Sequence, residues 1–264
     1  MYNINDIVNT ILCGDVLEHL ALIPDNSIDL VVTSPPYNLG IDYKVYKDNM
    51  ERDAYYKWCE NWLNQLFRIG KNDCRYCIVH YLSYGHNHGT DVNVSGRTAP
   101  LMTINSMAEE IGYKHHGLAL WWDITLCKQT AWGSWASASS PYISSPFEGI
   151  LILYKNQWKK IAENKHNDKI QKDEFMESCS GIWNIPTERD RSHPAPFPIK
   201  LSSRCINMLS YTGDIVLDPF MGSGTTGVSA ERLKRNWIGI ELNPDYAGKA
   251  IARINNERNQ IKLF

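Results

Sequence analysis

Short apolar runs alternate along this chain with longer amphipathic stretches. Thr10–Cys13, Ile28–Val32, Arg75–His80, Leu118–Trp122, Gly149–Tyr154, Asp214–Asp218 and Trp237–Ile240 read as strands. Between them lie Val16–Leu22, Asp53–Ile69, Leu101–Ile111, Ile199–Leu209, Gly227–Leu233 and Tyr246–Glu257, which read as helices. In Asp53–Ile69 the residues Tyr56, Cys59, Trp62, Leu63, Leu66 and Phe67 share one face. In Ile199–Leu209 a buried stripe of Leu201, Cys205, Met208 and Leu209 is expected. Gly112 is the expected C-cap of Leu101–Ile111. Strands alternating with helices predict an α/β fold: a mostly parallel sheet of seven strands, helices on both faces.

Other stretches carry no period. Asn38–Asn49 is polar with Tyr and Lys and reads as a loop. Gly85–Ala99, rich in Gly, Asn and Ser, reads the same way. Composition shifts after Asp123: Ser and aromatic residues dominate Thr130–Pro146, Asn156–Lys172 is polar, and Ile182–Arg191 is loop-like. Lys128–Asn184 is therefore expected to be an insertion at the sheet's edge. His193–Pro198 is a rigid, extended lead-in to the helix at Ile199.

Two turns carry candidate chemistry. The run Ile28–Val32 ends in Thr33-Ser34-Pro35-Pro36-Tyr37. Two prolines fix φ, remove two amide donors and push the residues before them toward extended geometry. The result is a stiff turn with outward carbonyls beside a flat ring, suited to an exocyclic amino group on a planar base. The second turn, Asp218-Pro219-Phe220-Met221-Gly222-Ser223-Gly224-Thr225-Thr226, joins a strand to a helix. Its glycines allow close backbone approach, and the helix start offers free amides to an anion. Glu241 follows the next strand, near the spacing at which dinucleotide folds place an acid for ribose hydroxyls.

With both turns in hand, the chain resembles the S-adenosylmethionine-dependent amino DNA methyltransferases. In that family Asp-Pro-Phe-x-Gly-Ser-Gly-Thr-Thr is the cofactor motif and Ser-Pro-Pro-Tyr or Asp-Pro-Pro-Tyr the catalytic one. Here the catalytic motif comes first, as in the circularly permuted β group. The resemblance runs from about Thr10 to Arg253 and is weakest between Lys128 and Asn184. It implies a Rossmann-like methyltransferase fold: a catalytic half over 1–127, a target-recognition insertion over 128–192 and a cofactor half over 193–264. It assigns transfer to Ser34, Pro35, Pro36 and Tyr37. S-adenosyl-L-methionine would be held by Asp218, Pro219, Phe220, Gly222, Ser223, Gly224, Thr225, Thr226 and Glu241. Asp15 would lie near its adenine, and Phe197 and Lys200 would wall its methionine end. Asp15 also suits an N-cap for Val16–Leu22, and Lys200 a solvated surface charge. The implied substrate is a base flipped out of duplex DNA. A serine at the first catalytic position favours cytosine N4 over adenine N6; RNA or a protein amide is a more distant alternative.

Composition narrows the picture without changing it. The chain has 264 residues, 43% of them hydrophobic, enough for a sizeable core. A formal net charge of −2 excludes DNA binding by bulk charge but leaves room for a local basic patch. No apolar run approaches a membrane span, and Met1–Asp6 lacks the features of a signal peptide. Seven cysteines without a repeating framework suit a reducing cytoplasm, and Cys74 and Cys77 lack a second pair at metal spacing, so no metal is expected. A separate cognate restriction endonuclease is a compatible partner, and monomer and homodimer both fit. Gly222, Gly224 and Gly227 match G-x-G-x-x-G, so a nicotinamide oxidoreductase is the main rival, but it leaves Ser34–Tyr37 unexplained. A non-catalytic DNA-binding module leaves both motifs without purpose.

Overall fold

A computed structural model describes residues 1–83, 98–122, 134, 136–139, 141, 147–160, 168, 170–187 and 198–261. The described strands are β1 (Thr10–Cys13), β2 (Ile28–Thr33), β3 (Gly70–Tyr81), β4 (Lys114–Trp122), β5 (Phe147–Tyr154), β6 (Ile182–Asn184), β7 (Ile215–Asp218) and β8 (Asn236–Glu241). They form one sheet in the order β1-β8-β7-β2-β3-β5-β4-β6. Pairing is parallel except for β5, which is antiparallel to both β3 and β4.

The helices are α1 (Ile4–Ile7), α2 (Val16–Leu22), α3 (Arg52–Ile69), α4 (Pro100–Ile111), α5 (Lys172–Cys179), α6 (Ile199–Leu209), α7 (Thr225–Arg232) and α8 (Pro244–Ile261). The sheet's alternation explains how they sort. In β2 and β3, Val31, Tyr76 and Ile78 face one way, and Leu30, Val32, Cys77 and Val79 the other. α2, α3 and α4 cover the first face through Leu20, Trp62, Leu66 and Ile104. α6 and α7 cover the second through Leu201, Cys205, Ile206 and Val228. Every residue of β2 is buried, as a central strand covered on both faces requires. Cys74 and Cys77 lie in the cores on opposite faces.

Three expectations need correction. Among the described residues the sheet has eight strands, not seven. The eighth, β6, places one residue, Trp183, in the core, so its three residues carry no readable period. The segment read as an edge insertion contributes β5 to the sheet's interior, between β3 and β4. In α3 the buried face is Tyr55, Cys59, Trp62, Leu63, Leu66 and Ile69, so Tyr56 and Phe67 sit at its margin; Met208 of α6 is likewise partly exposed.

At the end of the sheet where the parallel strands begin, Lys160 is almost fully buried among Asp29, Asp214 and Asp73, with Nζ–O distances of 3.3, 3.4 and 3.8 Å. Lys155 donates to the Gly70 carbonyl at 2.8 Å. Both lysines lock the residues after β5 onto the sheet.

Candidate active site

The carboxyl ends of β1, β2, β7 and β8 open into one cavity of about 530 Å³. Open α/β sheets place ligands at this edge. Ser34, Pro35, Pro36 and Tyr37 wall one side. Pro219, Phe220, Gly222, Ser223, Thr225 and Glu241 wall the other.

The Pro-Pro turn is held from several directions. Thr33 Oγ1 donates to Asp218 Oδ1 at 2.9 Å, tying the end of β2 to the end of β7. Tyr55 donates to the Pro36 carbonyl at 2.8 Å. The Pro35 carbonyl, by contrast, accepts no hydrogen bond among the described residues, and Pro35 lines the cavity. The Tyr37 ring stacks on His80 with centroids 4.2 Å apart and meets Tyr81 edge-on at 5.1 Å. Its hydroxyl accepts from Ser34 Oγ at 2.9 Å and donates to Glu148 Oε2 at 2.6 Å. Burial lowers His80 to about 3, so its ring is neutral. Burial raises Glu148 to about 7 against the opposing Tyr37 hydrogen bond.

The glycine turn is built for close approach. Gly222 and Gly224 have φ of 53° and 84°. A Cβ on Gly224 would lie 2.9 Å from that of Ala250, so α7 and α8 pack through this absence. Gly224 caps α7 without a side-chain hydrogen bond to its first amides, and Thr225, the first helical residue, lines the cavity. Arg253 Nη1 donates to Ser223 Oγ at 3.2 Å and Thr225 Oγ1 at 3.1 Å. Glu241 accepts from the Gly222 amide and the Asn243 amide, each at 2.8 Å. Burial raises its carboxyl, and those amides oppose the rise. The Leu242 amide opposes it as well, and of the carboxylate's roughly four acceptor sites one is left for a hydroxyl.

Not every expected residue reaches the wall. Asp218 accepts from Thr33 Oγ1, from Thr226 Oγ1 at 2.6 Å and from the Phe220 amide at 3.0 Å. Its carboxyl is spent inside the protein, and Asp218, Gly224 and Thr226 lie behind the lining. Lys200 is exposed on α6 and is not among the described residues that line the cavity. Phe197 lies outside the described residues, as do Lys128 and most of Gly85–Ala99. Asp15 caps α2 through the Leu17 and Glu18 amides at 2.8 and 3.2 Å, and lines the cavity as well.

Of the lining residues that escaped the reading of the sequence, two groups stand out. The stretch read as an aperiodic loop covers the cavity with Leu39, Ile41, Tyr43, Val45 and Tyr46. Asp48 pins it by accepting from the Asn38 and Leu39 amides at 2.8 and 2.9 Å. The alternation Leu39, Ile41, Tyr43, Val45 was the available signal. Glu148 was the other, visible as a lone charge at the mouth of an apolar strand.

A family model for DNA methylase, of the class acting at N6 and N4 amino groups, matches residues 28–252. The chain belongs to the DNA methylase family. Among its relatives, the type II methyltransferase M.MjaVI of Methanocaldococcus jannaschii is 37% identical over 166 residues, covering 63% of this methylase and 80% of M.MjaVI. M.HpaI of Haemophilus parainfluenzae, also a type II methyltransferase, is 26% identical over 94% of this chain and 75% of its own. A Thermus thermophilus protein named as a DNA modification methylase was solved in complex with S-adenosyl-L-methionine. It superposes with a TM-score of 0.74 at 29% identity, covering 94% of this methylase and 93% of that chain. The cytosine-N4-specific PvuII DNA methyltransferase shares the fold, with a TM-score of 0.69 at 24% identity over 95% of this chain and 91% of its own. Among the described residues no helix of the methylase is long and apolar enough to cross a membrane.

Proposed function

We propose that this methylase transfers a methyl group from S-adenosyl-L-methionine to the exocyclic amino group of a base flipped out of duplex DNA, with cytosine N4 favoured over adenine N6. One observation carries the reading: the Ser34–Tyr37 turn and the Pro219–Glu241 side wall a single cavity. A ligand on one side then faces a base on the other without crossing solvent. The catalytic turn preceding the cofactor turn in the chain supports membership of the permuted β group.

The cavity fits the cofactor. Glu241 would take its ribose hydroxyls. Gly222, Ser223 and Thr225, with the start of α7, would hold its amino-acid end. Phe220, packed between Trp58 and Trp62 at 5.4 and 5.8 Å, presents a rigid apolar wall. Asp15 would meet its adenine. Bound there, the cofactor supplies a methyl group already activated on a sulfonium sulfur.

The amino group of a base is a poor nucleophile, because its lone pair is delocalised into the ring. Ser34 Oγ and the Pro35 carbonyl would accept its two hydrogens and draw the nitrogen toward tetrahedral geometry. Tyr37, backed by His80 on one face, would stack against the base with the other. Such stacking is worth ~1–3 kcal/mol and offsets part of the few kcal/mol that flipping costs. The preference for N4 rests on serine at position 34, and the residues of 128–192 outside β5 and β6 are proposed to read the DNA.

The test is to incubate the protein with duplex DNA and the cofactor, digest the DNA to nucleosides and weigh them. N4-methylcytosine is expected. N6-methyladenine would correct the base, and unmodified DNA with modified RNA or protein would overturn the substrate.

A further inference from the structure

The cavity holds one acidic side chain that this reading leaves unused. Glu148 lies near the start of β5, between Tyr81 of β3 and Trp121 of β4. Because β5 is antiparallel, its first residues reach the sheet edge that carries the catalytic turn. Ser34 Oγ donates to the Tyr37 hydroxyl, which donates to Glu148. The three groups form a chain with one direction, from the cavity's amino-binding corner to a carboxylate. Among the described residues no cation pairs with Glu148.

The surroundings suit a proton acceptor. Among the described residues the titratable groups facing Glu148 are the Tyr37 and Tyr81 phenols, both raised by burial and so protonated, with neutral His80 behind the Tyr37 ring. Burial without a cation holds the carboxyl near neutrality. A carboxyl kept in such a place costs the fold stability, and such groups gather at working sites.

We propose that Glu148 takes up the proton lost from the target amino group, relayed through Ser34 and Tyr37. The proposal rests on the amino-methylation reading above. As the amino nitrogen bonds to the methyl carbon, the carbon–sulfur bond breaks and its electron pair stays on sulfur. The nitrogen must then shed a proton. That proton passes to Ser34 Oγ while Ser34's own passes to the Tyr37 oxygen and Tyr37's passes to Glu148 Oε2. Both hydroxyls end neutral, as they began, so no phenolate forms. One N–H is lost and one O–H is gained. Glu148 touches no reacting atom; it is a positioning residue that acts through Tyr37.

Single-turnover methylation should be followed from about pH 5 to about pH 9 for the parental protein, Glu148→Gln, Tyr37→Phe and the double variant. The parental rate should rise with pH through about 7, as the carboxyl ionises. Glutamine still accepts a hydrogen bond but takes no proton. Each single variant should lose that rise and fall ~10²-fold or more, and the double variant should fall no further. Calorimetric affinities for cofactor and DNA should stay parental. Difference infrared spectroscopy of the free protein against Glu148→Gln should show a carboxyl titrating near 7. A parental protein that methylates nothing sinks the underlying reading. An active parent whose single variants keep both rate and pH rise overturns the relay. Should Glu148→Gln fail to fold, Tyr37→Phe, which removes one oxygen, decides alone.

Discussion

Asp218 offers a measurement that separates architecture from cofactor binding. It is 1% exposed and accepts three hydrogen bonds, from Thr33, Phe220 and Thr226. Burial nevertheless raises its carboxyl from 3.8 to about 6, with those bonds opposing the rise and Glu241 adding to it. The folded value lies above the unfolded one. The stability this contributes is therefore present below the unfolded value of 3.8 and lost as pH rises through about 6. A rise of that size corresponds to about 3 kcal/mol once the carboxyl is fully ionised. Asp218→Asn keeps the shape, keeps an acceptor for Thr33 and Phe220, and lets the Thr226 hydroxyl turn and accept. Its stability advantage over the parent should open from near zero at about pH 4 to ~3 kcal/mol at about pH 7 and then stay level. Asp218→Ala instead leaves two hydroxyls and an amide without an acceptor, at ~1–3 kcal/mol each, partly offset by removing the buried charge. A net loss of ~2–4 kcal/mol is expected. Urea unfolding at several pH values reads both variants. A flat gap for Asp218→Asn, or a loss equal to that of alanine, refutes the argument. Because Asp218 lies behind the cavity wall, Asp218→Asn should also keep parental cofactor affinity.

Two further changes probe opposite ends of the sheet. Glu241→Ala should weaken S-adenosyl-L-methionine binding by calorimetry at least ~10-fold, the equivalent of one good hydrogen bond to a charged group; unchanged affinity removes the ribose assignment. Lys160→Met removes the buried cation that Asp29, Asp73 and Asp214 share, leaving Lys71 paired with Asp29 at 2.8 Å, and should cost ~3–5 kcal/mol in urea unfolding while leaving cofactor affinity intact; a loss under ~1 kcal/mol shows the network to be dispensable.

The strands and helices were legible where burial imposes a period. β2, β3, β7 and α3 each bury so much apolar surface that their pattern survives in the sequence. β6 was not legible, because parallel pairing with β4 rather than its own side chains holds it. The Ser34–Tyr37 and Pro219–Ser223 turns were legible because proline and glycine there have steric reasons to be what they are. Glu148 was hidden for a different reason. Its meaning depends on β5 running antiparallel between β3 and β4, and no local pattern states the direction of a strand. Asp218 shows the converse: its motif was plain, yet its carboxyl serves the turn's neighbours rather than the cavity.

That same topology sets how DNA recognition can be tested. Exchanging all of 128–184 for its counterpart from a methyltransferase of different specificity would also exchange β5, whose Ile150, Leu151 and Leu153 are fully buried. It would remove Lys155 and Lys160 too, which hold the Gly70 carbonyl and the Asp29–Asp73–Asp214 group. Such a chimera tests packing before it tests specificity. Neither lysine can reach a phosphate from where it stands, so Lys155→Gln should leave the salt slope of DNA binding unchanged. Lys159 and Lys172 are exposed, and replacing a phosphate-contacting one should lower that slope by about 1 and weaken all sequences alike. The informative exchange is confined to 128–146, ahead of β5. If those residues read bases, the chimera should fold with parental stability, bind the cofactor as before and methylate the donor's site, with ~1–3 kcal/mol lost at the original one for each reading contact removed. A folded, active chimera that still modifies the original site moves recognition to another part of the chain, with 85–99 next in line because it joins the strand carrying His80 and Tyr81 to α4.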